Sequence, residues 1–111
     1  MANDLIGRQL RETTLLDEDV QTIGSASEAI IGDNLGAIPA GARRIRITVL
    51  TSAINIRADG TAPTDADGGG NRFDVGDVID LTDDQDYTDW LTAARAIRRT
   101  TDSKIWIEWF D

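Results

Sequence analysis

The sequence predicts an all-β domain, a small antiparallel β-sandwich or jelly-roll-like barrel with an extended N-terminal arm. Three observations lead to this fold class. Apolar and polar side chains alternate in several short segments, which is typical of half-buried strands. Clusters of Gly, Pro and Asp separate these segments about every 8–12 residues. The length of 111 residues suits one small domain.

The N-terminal region differs from the rest of the chain. We expect residues 1–27 to form the arm and residues 28–111 to form the β-sandwich domain. The arm is polar, with an acidic break at 17–19 and a Gly/Ser-rich break at 24–27. Short extended stretches are expected at 11–15, 20–23 and 29–31. About 25 extended residues span roughly 80 Å, enough to contact a neighbouring subunit, whereas the alternative is a frayed terminus.

The clearest alternation lies at residues 43–50, where Ile45, Ile47 and Val49 fall on one side of the chain. This pattern predicts an antiparallel strand with one buried face. A second alternating segment, 53–57, follows after two polar residues. We expect the two strands to pair as a hairpin.

The second half of the chain predicts further strands separated by polar loops. Residues 65–71 are predicted to form a long Asp/Gly-rich loop, and the next ordered segment is expected to begin at 72–73. Residues 78–81 form the next expected strand, followed by an acidic loop at 82–89. The last strand, 103–110, has large apolar side chains on both faces. It is therefore expected to be central or to be covered by a partner chain.

Residues 90–99 are ambiguous. Their apolar residues have helical spacing: Trp90, Leu91, Ala94 and Ile97. Asp89 suits the start of a helix and the arginines at 98 and 99 suit its end, so the residues themselves predict a helix. A strand over 91–98 places apolar side chains less consistently on one face and is the alternative.

The composition argues against several functional classes. The chain has no cysteine and no histidine, which excludes disulfides, thiolate metal sites and Ser-His or Cys-His catalysis. Its formal net charge of −9 is opposite in sign to what a nucleic-acid partner requires. No apolar run could span a bilayer, and residues 1–25 lack the apolar segment of a signal peptide. We therefore expect a non-catalytic protein without a cofactor, a nucleic-acid partner or a membrane partner.

One segment is a candidate cation site. Asp65, Asp67, Asn71 and Asp74 offer oxygen ligands around a glycine, as a calcium loop does. The motif is incomplete, because the twelfth position, where the loop needs Glu, is Gly76. The alternative is a solvated loop tip without a bound ion.

A second group of residues is a candidate partner surface. Arg43, Arg44 and Arg46 form a local basic patch that could dock an acidic neighbour, or they could line an ordinary solvated strand face. Arg57 and Trp106 complete the expected partner-binding set. Aromatic side chains are enriched at interfaces, although they also fill small cores.

Residues 57–64 read Arg-Ala-Asp-Gly-Thr-Ala-Pro-Thr. A strand that ends in Arg and continues into Asp-Gly-Thr-x-Pro-Thr resembles a module of small virion proteins of tailed phages and related viruses. In that module a Gly-bearing loop, a Gly-Asp strand, a Leu-to-Arg stretch and an aromatic strand follow. The corresponding segments here are 68–70, 76–81, 91–98 and 105–110.

The resemblance covers residues 38–110 and implies a β-sandwich structural component of a virus particle, with an extended chain at 91–98. It implies a capsid decoration (cement) protein that binds the major capsid protein or other virion subunits. Such a protein would be a homo-oligomer, expected as a trimer, in a virion assembled in the host cytoplasm. One alternative is a neck or tail adaptor, spike or fibre-base subunit. Another is a cellular β-sandwich module that binds carbohydrate or peptide through the loops at 59–89.

Overall fold

The computed structural model describes residues 14–29, 38–82 and 87–111, which form two four-stranded sheets and one short helix. The first sheet has the order β1 (Leu15–Ile23), β8 (Ser103–Phe110), β3 (Arg44–Val49), β6 (Val78–Thr82). The second sheet has the order β2 (Glu28–Ala29), β7 (Arg95–Arg98), β4 (Ile54–Arg57), β5 (Asn71–Phe73). All neighbouring strands are antiparallel.

The strand pairing is that of a jelly roll. β1 pairs with β8, β2 with β7, β3 with β6 and β4 with β5, as if one long hairpin were rolled up. The pairs β3–β8 and β4–β7 then join the strands within each sheet. Two antiparallel sheets of this kind confirm the predicted all-β class.

The core lies between the two sheets. Ile45 and Ile47 of β3 and Ile105 and Ile107 of β8 are fully buried and meet Ile54 of β4 in one apolar cluster. The prediction that the last strand is central is confirmed, because β8 lies between β1 and β3. The inward faces of β3 and β8 are therefore completely covered.

The predicted hairpin of β3 and β4 is wrong. The two strands lie in opposite sheets, and the connection between them carries the chain from one sheet to the other. A two-residue hairpin turn needs positive φ angles, which Gly and Asn supply and the intervening Thr51 and Ser52 do not favour. Ser52 instead donates a hydrogen bond from its Oγ to the Thr101 carbonyl at 3.0 Å. The connection is thereby fixed to the turn before β8.

The ambiguous segment contains both a helix and a strand. Helix α1 spans Tyr87–Ala93, and β7 begins at Arg95, so neither a helix over 90–99 nor a strand over 91–98 is correct in full. The helical spacing places Leu91 and Ala94 in the core with no exposed surface. Beyond Ala94 the chain pairs with β4 and β2. Sheet pairing there overrides the local helical pattern.

Part of the expected arm is an edge strand of the first sheet. β1 pairs with β8 from Leu15 opposite Phe110 to Ile23 opposite Ser103, with an irregularity near its start. Ile23 is fully buried in the core, so this stretch contributes to the domain itself. The other expected stretches, at 11–15 and 29–31, lie mostly outside the described residues.

Candidate functional site

The expected partner-binding residues separate into two groups. Arg44, Arg46 and Trp106 lie together on the outer face of the first sheet, because β3 and β8 are neighbours and these side chains alternate away from the core. Arg43 immediately precedes β3, and its side chain is exposed. Arg57 ends β4 in the second sheet and is not part of this group.

The strand register arranges the outer face of the first sheet in rows that run across β1, β8, β3 and β6. One row, the charged row, contains Glu18, Glu108, Arg46 and Asp80. The next, the apolar row, contains Val20, Trp106, Thr48 and Val78. Neighbouring strands lie about 4.8 Å apart, so each row is about 14 Å long.

The arginines of this face are paired within the sheet. Arg46 Nε donates to Glu108 Oε1 at 3.0 Å. Arg44 binds both carboxylate oxygens of Asp80, at 2.8 and 2.6 Å. These hydrogen bonds hold the pKa of Asp80 below its ordinary value. The patch that the sequence suggested as basic is therefore balanced in charge.

The two arginines also cover an aromatic ring. The guanidinium carbons of Arg44 and Arg46 lie 5.3 and 5.2 Å from the centroid of the Phe110 ring. A cation at this distance over a ring face is attracted by its quadrupole. Phe110 is only 7% exposed although it points away from the core. The two arginines thus help to cover the outward-facing Phe110 ring and shield it from solvent.

The apolar row, in contrast, is open to solvent. Val20 and Val78, at its two ends, are each 51% exposed, and Trp106 and Thr48 between them are half-buried. Leu50, which follows β3, is 37% exposed. Val20 and Trp106 are direct neighbours, Thr48 separates Trp106 from Val78, and exposed apolar side chains grouped in this way on one face favour an interaction surface. Trp106 was predictable from its residue type, but the two valines were not, because only the strand register shows that they share its row.

The second sheet carries a polar groove of about 460 Å³. Its lining residues are Ile56, Arg57, Ala58, Asp59, Gly68, Gly70 and Asn71. Arg57 Nη2 and Asp59 Oδ2 form an ion pair at 2.5 Å, and the Thr61 N–H donates to Asp59 Oδ1 at 3.1 Å. These bonds lower the pKa of Asp59 from 3.8 to about 2. Among the described residues, the groove thus presents a closed ion pair and no aromatic ring.

The loop that carries the Asp-Gly-Thr-x-Pro-Thr residues is held by a buried amide. Asn55 of β4 has no exposed surface, and its Nδ2 donates to the carbonyls of Thr64 at 2.8 Å and Ala66 at 3.0 Å. Its Oδ1 accepts a hydrogen bond from Arg99 Nη1 at 3.0 Å. Gly60 takes a φ of +85°, which a residue without Cβ adopts easily. The geometry gives these residues a structural task in the fold.

The structure does not assemble the expected cation site. Asp67 pairs with Arg99, and Asp74 accepts from Arg72 Nε at 2.8 Å. Asn71 belongs to β5, and Asp65 is exposed on the loop. Within residues 14–29, 38–82 and 87–111, no group of three or more acidic side chains is placed to hold a metal ion. The arginines occupy two of the carboxylates that a cation would need.

Comparison of this chain with family models, with curated proteins and with solved structures finds no match. The one helix in the described part of the chain, α1, has neither the length nor the apolarity needed to cross a membrane.

Proposed function

We propose that this chain is a structural protein of a tailed-virus particle, and that it decorates the capsid as a cement protein bound to the major capsid protein. Jelly rolls serve as capsid domains, as lectins and as cupins. The fold is therefore compatible with this role but does not by itself identify it. The resemblance at residues 57–64 favours the virion among these uses.

The exposed apolar row is the observation that carries the proposal. A protein that acts only by binding needs solvent-exposed apolar area that a partner can cover, and Val20, Trp106 and Val78 supply it on one face. The sequence has no histidine or cysteine to support the usual nucleophilic and metal chemistry. The combination favours a passive, stabilising role over catalysis.

The lectin-like alternative has less support. A sugar-binding module would present an aromatic ring beside a polar cleft. In the part of the chain that the structure describes, the groove of the second sheet is lined by the Arg57–Asp59 pair and by aliphatic, amide and glycine residues, without an aromatic side chain. Trp106 lies on the other sheet and is half-buried among side chains of its own face.

In the proposed mechanism, many copies bind to the assembled shell and to one another. Each contact buries additional apolar area. Repetition on a symmetric shell converts individually modest contacts into a strong total attachment. The protein would reside in the virion, which assembles in the host cytoplasm.

Immunogold electron microscopy of particles from the source culture tests this proposal. Antibody against the full chain should label the whole surface of the heads. Label confined to the neck or tail tip would contradict decoration and favour an adaptor, spike or fibre-base subunit. Absence of label from all particles would overturn the virion proposal itself.

A further inference from the structure

We propose that the outer face of the first sheet is the surface through which two copies of this chain bind each other. The inference rests on the proposed function, which needs contacts with the shell and contacts between copies. It assigns the outer face of the first sheet to the contact between copies, so the contact with the shell falls to the rest of the surface. Three features of the sheet point to this partner. They are its apolar row, its balanced charge and the edge of β1, which is unsuited to the addition of another strand.

The apolar row has the shape that a second sheet can cover. It crosses all four strands, from Val20 on one edge to Val78 on the other, with Trp106 between them. Sheets that pack face to face lie about 10 Å apart, so the outer face of a second copy would cover the whole row. The half-exposed valines at both ends would then be buried together with the ring.

The charge of the face permits two copies of an acidic chain to approach. The outward-facing charged residues of the four strands are Arg44, Arg46, Lys104, Glu18, Asp80 and Glu108, three of each sign. The face is neutral in sum, whereas the chain carries −9. Two copies that meet through this face bring no excess negative charge into direct contact, and only the longer-range repulsion between the rest of their surfaces opposes their approach. A strongly basic partner would gain nothing from a neutral face.

A two-fold axis along the apolar row makes the contact complementary. Lys104 and Glu108 lie on β8 on opposite sides of Trp106. Rotation about the row therefore places Lys104 of one copy above the Glu108 position of the second copy, and the reverse contact follows by symmetry. Glu108 itself is 6% exposed and bonded to Arg46, so the exposed Glu18 beside it is the carboxylate that Lys104 meets. Glu18 neighbours Glu108 across β1 and β8, and it lies within the same reach. The contact joins copies in pairs, in contrast to the trimer expected from the resemblance.

Among the described strands β1 lies at the edge of its sheet, and this edge is poorly suited to self-association by strand addition. The N–H of Glu18 donates to Asp17 Oδ1 at 2.9 Å, and the N–H of Val20 donates to Asp19 Oδ1 at 2.8 Å. These carboxylates occupy backbone donors that an added strand would use, and their charge repels an acidic neighbour. Face-to-face contact is therefore the favoured mode for a second copy.

Sedimentation velocity of the purified full chain, from about 1 to 200 µM, tests the proposal. The wild-type chain should reach twice its 12.1 kDa mass. Val20→Glu and Val78→Glu should each raise the dissociation constant at least about thirtyfold, because each places a charge in the apolar row that the contact buries, opposite the same charge of the second copy. Val75→Glu is the matched control, because Val75 is 57% exposed in the turn before β6 and lies outside the row. It should leave the dissociation constant within about threefold.

The remaining outcomes each overturn the proposal. A wild-type monomer over the whole range would do so, and oxidative footprinting of Trp106 would then show whether another segment of the same chain covers the face. A trimer would exclude a two-fold contact, since that contact closes at two copies. A dimer that survives both substitutions would place the contact elsewhere. None of these measurements involves virus particles, so a failed particle label and a failed dimer are separate results.

Discussion

At the scale of single residues, buried polar groups determine how the loops attach to the sheets. Asn55 is the clearest case, because it holds two carbonyls of the following loop and is itself held by Arg99. The alternation in 53–57 predicts a strand in which Asn55 points away from the core, as any polar residue at that position would. Only the fold shows that this position is buried and that the loop passes above it.

We expect Asn55→Leu to lower the free energy of unfolding by about 2–4 kcal/mol, because it leaves the carbonyls of Thr64 and Ala66 without their buried donor. Urea denaturation followed by circular dichroism measures this change. Asn71→Leu is the control, because Asn71 is an exposed asparagine in β5. A loss below about 0.5 kcal/mol at Asn55 would show that these bonds contribute little to stability.

The Arg57–Asp59 pair allows a pH prediction. Hydrogen bonds from Arg57 and the Thr61 N–H lower the pKa of Asp59 to about 2 in the folded protein. A carboxyl whose folded pKa is depressed stabilises the fold above its unfolded pKa, and this contribution is lost as pH falls through the folded value. We therefore expect the contribution of Asp59 to the stability of the fold to disappear between about pH 4 and pH 2.

The carboxyl ¹³C shift of Asp59, followed by NMR over that range, measures its pKa directly. Arg57→Gln should move the midpoint back toward 3.8. Arg72→Gln removes a guanidinium that pairs with Asp74 and should leave Asp59 unchanged. A wild-type midpoint near 3.8 would mean that the ion pair does not form in solution.

At the scale of elements, strands were predictable where one face meets the core, and their partners were not. Residues 43–50 alternate because β3 packs one face against the second sheet. Residues 103–110 are apolar on both faces because β8 packs its inner face against the second sheet and also carries Trp106 and Phe110 on its outer face. Pairing in a jelly roll joins strands distant in sequence, and local periodicity contains no signal for it. The hairpin error and the mixed segment at 90–99 both have this cause.

The candidate site was only partly predictable for the same reason. Arg44, Arg46 and Trp106 could be chosen by residue type, since arginine and aromatic residues are common at interfaces. Their grouping with Val20 and Val78 depends on the register of four strands. The pairing of the arginines with carboxylates on β6 and β8 depends on it as well.

The free edge of β1 gives a prediction at this scale. Asp17→Thr combined with Asp19→Thr should release the N–H donors of Glu18 and Val20 and allow edge-to-edge association. Sedimentation velocity should then show species larger than a dimer. Asp65→Thr combined with Asp89→Thr removes the same amount of charge from exposed positions outside both sheets and retains both contacts. If the two double variants associate equally, charge rather than donor occupation protects the edge.

At the scale of the whole molecule, the excess negative charge opposes self-association, whereas the neutral outer face of the first sheet permits it. The chain carries −9, and the outer face of the first sheet contributes none of this excess. Repulsion between copies should therefore come from the remainder of the surface and should fall as salt shortens the screening length.

We expect self-association to tighten as salt rises from about 20 to 200 mM, because the screening length falls from roughly 20 Å to under 10 Å. Sedimentation equilibrium at several salt concentrations measures the trend. Tighter association at low salt would instead show that ion pairs between copies dominate the contact.

The most direct test of how this protein works uses the absence of native cysteine. Thr48 lies within the apolar row, and a two-fold axis along that row places it opposite Thr48 of the second copy. The variant Thr48→Cys, treated with a short thiol cross-linker, should yield a covalent dimer. The exposed loop variant Thr61→Cys should remain monomeric under the same conditions. Cross-linking at Thr61 without cross-linking at Thr48 would contradict the claim that copies of this chain meet through the outer face of the first sheet.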